Sequence, residues 1–173
     1  MTFSRLCSDL TRTLGSRNRF RGSYTSEAAF EDKVWTIVRA RFTLHFGRAK
    51  LSQCVLTSHK RNQGREERQA WKEFLHSKPG PDVWALGSKN RLDIVVKHPV
   101  RGSIGIEVKW LSNRGHAAKL TQGLGQVVLA LANRQRTLLL IHCGSVSNKK
   151  RRDLRSIARR ICRGTATQMV IVP

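Results

Sequence analysis

Residues 91–110, RLDIVVKHPVRGSIGIEVKW, are predicted to form two β-strands joined by a short loop at about 98–102. Side chains on a strand alternate between its two faces, so Glu107 and Lys109 share one face of the second strand. A loop of this length places Asp93 opposite Glu107, and directly opposed side chains have Cβ atoms only ~5 Å apart. Because two carboxylates that close together repel each other, the hairpin predicts a bound divalent cation.

The net charge of the chain indicates its binding partners rather than its fold. The 173 residues include 33 Lys+Arg and 11 Asp+Glu, which gives a formal net charge of +22. An excess of this size favours a polyanionic partner, and nucleic acid is the predicted one. Composition alone does not separate an enzyme that acts on nucleic acid from a basic protein that only binds it.

Cysteine spacing and hydropathy indicate the compartment. The four cysteines are widely separated and form no Cys-x-x-Cys pair, so neither a zinc site nor a disulfide framework is predicted. No apolar run approaches the ~20 residues of a membrane span, and no secretory signal pattern occurs. These features predict a cytoplasmic, nucleoid-associated protein with reduced thiols and no membrane partner.

The first 25 residues are rich in Arg, Ser and Thr and contain a single acid, Asp9. This composition predicts a flexible basic arm that touches the phosphate backbone, ahead of one domain spanning residues 26–173. Organelle transit peptides have a similar composition, so organellar targeting with cleavage of the arm is the alternative.

Hydrophobic periodicity predicts an α/β domain. Apolar residues at helical spacing predict helices at about 26–45, 63–77, 116–133 and 149–162, and apolar runs predict strands at 51–58, 83–86, 137–143 and 167–172. GSKN, residues 87–90, is predicted to be a turn. Gly123 and Gly125 each cost the third helix ~1 kcal/mol relative to alanine, which predicts close packing against the sheet. With the hairpin, these elements predict a mixed sheet of about five strands flanked by helices.

The chemistry of phosphodiester hydrolysis suits the residues of the hairpin. One or two Mg²⁺ ions held by carboxylates stabilise the charge on the phosphate, and they require hard oxygen ligands. Asp93 and Glu107 are the predicted metal ligands, with the main-chain carbonyl of Val108 as a third. Lys109 would orient the attacking water or stabilise phosphate charge. Mg²⁺ is the predicted ion, with Mn²⁺ as the alternative.

The pattern D-x13-E-V-K on a hairpin resembles that of the PD-(D/E)XK nuclease superfamily, which has the restriction-endonuclease-like fold. The resemblance covers about residues 26–143. It implies a core of helix, three-stranded meander, helix and strand, and a metal-dependent endonuclease acting on DNA. It also implies a glutamate on the first helix, Glu31 with Glu27 as the alternative, and a glutamine on the helix after the lysine strand, Gln126, as supporting catalytic groups.

This sequence departs from the family pattern in three places. Leu92 replaces the proline that precedes the aspartate, and Ala130 stands where one branch of the family has a tyrosine. A literal Pro-Asp pair occurs earlier, which makes Asp82 a rival for the metal-binding aspartate. Asp93 is preferred because it belongs to a strand that can pair directly with the strand of Glu107.

The densest run of charge is residues 148–163, NKKRRDLRSIARRICR, in the last predicted helix. Basic residues at a helix N-terminus oppose the helix dipole, and bound phosphates would offset that cost. The predicted nucleic-acid-binding residues are Lys149, Lys150, Arg151, Arg152, Arg155 and Arg159.

Three hypotheses follow for the function. The first is a Mg²⁺-dependent DNA endonuclease, and the second is a non-catalytic basic nucleic-acid-binding protein on the same fold. The third is a junction-resolving or restriction-like enzyme, which would act as a homodimer because it must cut two strands. His98, His116 and His142 are interpreted as loop or core residues and not as catalytic ones.

Overall fold

Five strands form a mixed sheet in a computed structural model that describes residues 1–20, 22, 24–111, 116–144 and 146–173. The strands are β1 (Val55–Thr57), β4 (Ile94–Lys97), β5 (Ser103–Trp110), β6 (Arg136–His142) and β7 (Thr167–Val172), in the spatial order β1-β4-β5-β6-β7. β1, β4 and β5 are antiparallel neighbours, whereas β5, β6 and β7 run parallel. The prediction of an α/β domain with a mixed sheet of about five strands is confirmed.

Helices cover both faces of this sheet. They are α1 (Phe3–Leu14), α2 (Glu27–Phe46), the single turn α3 (Leu51–Cys54), α4 (Arg65–Leu75), α5 (His116–Ala130) and α6 (Asn148–Ile161). α1 and α2 pack on the face formed by Ile104, Ile106 and Val108. α5 and α6 pack on the opposite face, against Leu139 and Ile141. Within the described part of the chain, no helix has both the length and the apolar character needed to cross a bilayer.

The β4–β5 hairpin has the predicted register. Ile94 pairs with Ile106 and Lys97 with Ser103, which leaves the five residues 98–102 as the loop. Gly102 has a φ of 97°, a conformation that glycine adopts without a Cβ penalty. The same register, continued by one residue, sets Asp93 opposite Glu107 as expected.

Two local predictions in the region before the hairpin are wrong. Residues 51–54 form a helical turn rather than the start of a strand, and only Val55–Thr57 are extended. Ser88–Arg91 form β3, which pairs with β2 (Asp82–Ala85) in a separate two-stranded sheet, so residues 88–90 are not a turn. The turn of this second hairpin lies at Leu86 and Gly87, both of which have positive φ.

The prediction of a flexible basic arm over residues 1–25 is wrong for residues 3–14. They form α1, whose leucines at four-residue spacing, Leu6, Leu10 and Leu14, are each at most 1% exposed in the main core. Thr2 caps this helix by accepting a hydrogen bond from the backbone N–H of Arg5. The leucine stripe supplies an apolar face that the arginine-rich composition conceals.

A buried carboxylate fastens α1 to α2. Asp9 is 5% exposed, and it accepts hydrogen bonds from Arg41 at 2.5 and 2.9 Å and lies 2.9 Å from His45 Nε2. The hydrogen bonds from Arg41 are the main reason why the pKa of Asp9 falls well below its ordinary value of 3.8. Stabilisation by Asp9 is therefore complete above that value and is lost as the pH falls below it.

Replacing Asp9 with alanine is expected to lower the free energy of unfolding by about 2 kcal/mol, because it leaves Arg41 and His45 without their carboxylate. Urea-induced unfolding at neutral pH measures this change. Asp153→Ala removes an exposed acid on α6 and is the matched control, with an expected change below ~0.5 kcal/mol. Equal effects of the two substitutions would contradict the fastening role of Asp9.

Candidate metal centre

Four elements bring ionisable side chains together at one end of the sheet. β5 ends and β4 begins at this end of the sheet, because the two strands are antiparallel. β1 also ends there, and the N-terminal turn of α2 lies above it. This end of the sheet therefore collects residues that are distant in the sequence, such as Glu27 and Trp110, which are 83 positions apart.

Glu107 and Lys109 lie on the same face of β5, as period two requires. Glu107 is 1% exposed, and Lys109 Nζ donates a hydrogen bond to its Oε1 at 2.5 Å. Among the described residues, no donor reaches the second oxygen, Glu107 Oε2, although it is fully buried. A buried carboxylate oxygen without a partner is costly, and a bound cation would satisfy it.

The pKa values of this pair reflect their burial. Burial and, to a smaller extent, the charge of Asp93 raise the pKa of Glu107 to about 8, despite the opposing effect of Lys109. Burial is the largest single influence on the pKa of Lys109 and acts to lower it. The charge of Glu107, its hydrogen bond and the charges of Asp93 and Glu27 together outweigh burial, so the pKa is raised and the lysine is a cation at neutral pH.

Asp93 is held at the start of β4 by backbone contacts. Its Oδ2 accepts a hydrogen bond from the backbone N–H of Val108 at 2.8 Å, and its carbonyl accepts one from Thr57 Oγ1 at 2.9 Å. The first contact ties the Asp93 carboxylate to the residue between Glu107 and Lys109. Asp93 is thus positioned by both neighbouring strands. The Val108 carbonyl as a metal ligand stays a prediction.

His59 follows β1 and bridges two carboxylates. Its Nε2 lies 3.0 Å from Asp93 Oδ1 and 2.8 Å from Glu31 Oε1. The hydrogen-bond geometry favours Asp93 as the acceptor, and Glu31 Oε1, which is buried, shares this contact through its ion pair with His59. Hydrogen bonding with Asp93 and then with Glu31 raises the pKa of His59 to about 9, so the imidazolium occupies a position between the acids that suits a cation.

Glu31, His59 and Asp93 form a group that could hold a metal ion. One donor atom from each residue lies within 4.8 Å of the others. Glu31 is 4% exposed on α2, and its other oxygen accepts a hydrogen bond from Arg61 at 2.7 Å. Asp93 belongs to this group and stands opposite Glu107 in the hairpin register, whereas Glu107 itself is not a member of the group.

Sequence reasoning missed His59 and Arg61. Neither residue belongs to a motif, and their roles depend on pairing between β1 and β4, which the sequence pattern did not establish. The signal that could have located His59 is its position directly after the predicted strand at 51–58. Had that strand been paired with the strand of Asp93, His59 would have been placed beside this aspartate.

The alternatives Glu27 and Asp82 occupy different positions. Glu27 accepts hydrogen bonds from the backbone N–H of Trp110 at 3.0 Å and from Lys119 Nζ at 3.3 Å, which joins the start of α2 to the end of β5. Asp82 lies on β2 and makes ion pairs within its own hairpin, at 2.8 Å with Lys89 and 2.6 Å with Arg91. Neither belongs to the group of Glu31, His59 and Asp93.

Gln126 lies on α5, which packs on the same face of the sheet as Glu107. Its backbone carbonyl accepts a hydrogen bond from Asn90 Nδ2 at 2.9 Å. Its side-chain Oε1 is buried and has no hydrogen-bond partner in the part of the chain that the structure describes. The structure gives Gln126 no direct contact with Asp93 or Glu107, so its supporting role stays a prediction.

Gly123 allows α5 to approach Lys109. A Cβ at this position would lie 2.8 Å from Leu139 Cδ1 and 3.1 Å from Lys109 Cγ, whereas a Cβ at Gly125 would meet nothing within 4 Å. The close packing predicted for these glycines is therefore found at Gly123 and not at Gly125. The helix surface at Gly123 fixes the path of the Lys109 side chain towards Glu107.

The two glycines offer a matched pair of substitutions. Gly125→Ala is expected to stabilise the protein by up to ~1 kcal/mol through helix propensity alone. Gly123→Ala is expected to lose that gain and to displace Lys109, which would slow any reaction that uses this lysine by at least about tenfold. Thermal unfolding and cleavage rates measure the two effects. Equal behaviour of the two variants would contradict the positioning of Lys109 by α5.

The basic residues of α6 are mostly exposed. Lys149, Lys150, Arg152 and Arg159 face solvent, whereas Arg155 is half-buried and Arg151 donates hydrogen bonds to the carbonyls of Gly144 and Val146. Because β6 is parallel to β5 and α6 follows it, α6 begins at the edge of the metal centre and runs away from it. Lys149 and Lys150 are therefore nearer to the centre than Arg159.

Two of the three histidines that were interpreted as loop or core residues have such positions, whereas His116 begins α5. His142 is 3% exposed and packs against the rings of Tyr24 and Phe30, and burial lowers its pKa to about 4. His98 lies in the β4–β5 loop. All four cysteines are free thiols.

Comparisons of the chain with protein-family models, with curated proteins and with solved structures find no match.

Proposed function

We propose that the chain is a divalent-metal-dependent nuclease that hydrolyses phosphodiester bonds, with DNA as its substrate. The observation that carries this proposal is the meeting of Asp93, Glu107 and Lys109 on one hairpin, with a buried oxygen of Glu107 that lacks a partner among the described residues. The net charge of +22 supplies the attraction for a polyanionic substrate.

The residues present suit Mg²⁺ or Mn²⁺. Asp93 and Glu107 offer carboxylate oxygens, which hard divalent cations prefer, and water and substrate phosphate oxygens complete the shell. Bound at this position, the ion would activate water and neutralise charge on the phosphate. Glu31 and His59 lie within reach of the same aspartate, so they can hold a second ion or orient the first.

Lys109 changes partner in this proposal. In the ion-free protein its ammonium group is paired with Glu107. With a cation held by Asp93 and Glu107, the Lys109 ammonium would no longer be needed to balance Glu107, and it could donate to the attacking water or to a phosphate oxygen. The packing of α5 at Gly123 limits how far the lysine can move, which keeps it near the reacting atoms.

The order of elements supports a restriction-endonuclease-like fold. Helix α2 precedes the three-stranded antiparallel part, β1-β4-β5, and α5 then leads to β6, which is parallel to β5. This is the order of helix, meander, helix and strand that the resemblance implies. The additions to that core are α1, α3, α4, the β2–β3 hairpin, α6 and β7.

The test is incubation of the purified protein with supercoiled, linear, branched and single-stranded DNA and with RNA, in Mg²⁺, Mn²⁺ or EDTA. We expect cleavage of at least one DNA substrate with a metal ion and none in EDTA. Preferential cutting of branched DNA by a dimer would identify the junction-resolving form of the activity. Salt-sensitive binding to every substrate without cleavage in any metal would instead support the non-catalytic binding protein.

A further inference from the structure

The β2–β3 hairpin carries the most exposed apolar residues near the candidate metal centre. Trp84 is 68% exposed and Leu86, at the turn, is fully exposed. Leu86 also has a φ of 49°, a left-handed conformation that disfavours branched side chains and is normally left to Asn, Asp or Gly. A leucine that is both fully exposed and conformationally strained indicates a contact with a ligand or a partner at this position.

The hairpin is rigidly held at its base. Asp82 and Arg91, which are paired across the strands, form a two-point ion pair at 2.6 and 3.0 Å. Asn90 donates to the carbonyl of Gln126 on α5, and Asn133 donates to the carbonyl of Asp82. The tip of the hairpin, Leu86 and Gly87, therefore extends from a base that is held in place by hydrogen bonds and an ion pair.

One face of the hairpin combines aromatic surface with positive charge. Trp84 and its cross-strand partner Lys89 lie on this face, and Lys89 Nζ is 5.9 Å from the centre of the Trp84 ring. The only acid on the hairpin, Asp82, is already neutralised by Lys89 and Arg91. An aromatic ring with an adjacent cation fits a nucleobase with its phosphate, and an exposed leucine fits the gap between two bases.

The hairpin is also close to the centre along the chain. Lys89 precedes Asp93 by four residues, and four extended residues span at most ~14 Å. A strand of nucleic acid whose phosphate lies at Asp93 would therefore place neighbouring bases within reach of the hairpin.

We infer that the β2–β3 hairpin is a wedge for nucleobases, in which Trp84 stacks on an unpaired base and Leu86 inserts beside it, next to the phosphate at the metal centre. This inference rests on the proposed nuclease function and adds a substrate class, nucleic acid with single-stranded or unstacked bases. Duplex ends, gaps and branches meet this requirement, whereas a continuous stacked duplex does not.

The test compares binding of a labelled single-stranded oligonucleotide with binding of an abasic oligonucleotide of the same length, by fluorescence anisotropy in EDTA. Trp84→Ala is expected to weaken binding of the base-containing strand about tenfold and to leave binding of the abasic strand unchanged. Leu86→Asn is expected to weaken base-dependent binding severalfold while keeping the fold, because asparagine suits the left-handed turn. Val100→Ala, at an 84% exposed valine in the β4–β5 loop, is the matched control and is expected to change neither affinity.

Equal weakening for the two oligonucleotides, or no weakening, would overturn the inference. A second result would also overturn it. In this result the wild type sediments as a dimer, and Leu86→Asn dissociates the dimer without changing the preference for the base-containing strand. The tip would then contact a second copy of the chain. Binding in EDTA decides this inference, whereas cleavage by the wild type in Mg²⁺ decides the proposed function, so the failure of one is distinguishable from the failure of the other.

Discussion

Asp93→Asn is expected to reduce metal-dependent cleavage at least about a thousandfold, which corresponds to ~4 kcal/mol of lost transition-state stabilisation. Asparagine keeps an oxygen that can accept the hydrogen bond from the Val108 N–H, so the local backbone should survive. It removes the negative charge that a cation at this position requires. Single-turnover cleavage of a labelled oligonucleotide measures the loss, and affinity measured in EDTA should stay near that of the wild type.

Asp82→Asn is the matched control, because it makes the same chemical change at the rival aspartate. Asp82 pairs with Lys89 and Arg91 within the β2–β3 hairpin, so its loss should weaken that hairpin and leave the chemical step intact. A large loss of cleavage with Asp82→Asn and none with Asp93→Asn would move the centre to the earlier aspartate.

A divalent cation is expected to stabilise the wild-type protein by about 3 kcal/mol when its concentration is about 100 times the dissociation constant. The physical reason is that the ion relieves repulsion between Asp93 and Glu107 and satisfies the buried oxygens of Glu107 and Glu31. For a chain of this length the increase in melting temperature should be on the order of 6–12 °C. Asp93→Asn should abolish most of this increase.

The stabilisation by the ion should increase with pH. Glu107, whose pKa is raised to about 8, must lose a proton before it can bind the ion, and His59, whose pKa is raised to about 9, must do so before it can act as a ligand. Protons therefore compete with the ion below those values, so the increase in melting temperature should be larger at pH 8.5 than at pH 6.5. NaCl at matched ionic strength is the control, because salt alone screens the charge of a +22 chain. An equal increase with NaCl would contradict a specific site.

Local patterns were sufficient to predict the hairpin. Alternation on β5 put Glu107 and Lys109 on one face, and a loop of five residues fixed the register that sets Asp93 opposite Glu107. Both features depend on neighbouring residues and on the fixed period of a strand. The strands β6 and β7 and the helices α2, α5 and α6 were predicted for the same reason, because each has its own hydrophobic periodicity.

Features that depend on tertiary pairing were not predicted. α1 was missed because Arg5 and Arg12, among the serines and threonines of this segment, gave it the composition of a flexible arm. His59 was missed because only the pairing of β1 with β4 brings it to Asp93. The choice between Glu31 and Glu27, one helical turn apart, depends on how α2 is rotated over the sheet, and the structure directs Glu31 to His59 and Glu27 to Trp110.

The most direct test of the central claim is plasmid nicking by the wild type and by Lys109→Met, measured side by side at equal DNA occupancy. Methionine has a similar length and lacks the ammonium group that now pairs with Glu107. We predict that the wild type nicks in Mg²⁺ and stops in EDTA, and that Lys109→Met binds DNA equally but does not nick it. Nicking at the wild-type rate by Lys109→Met would contradict a nuclease centre built on Asp93, Glu107 and Lys109.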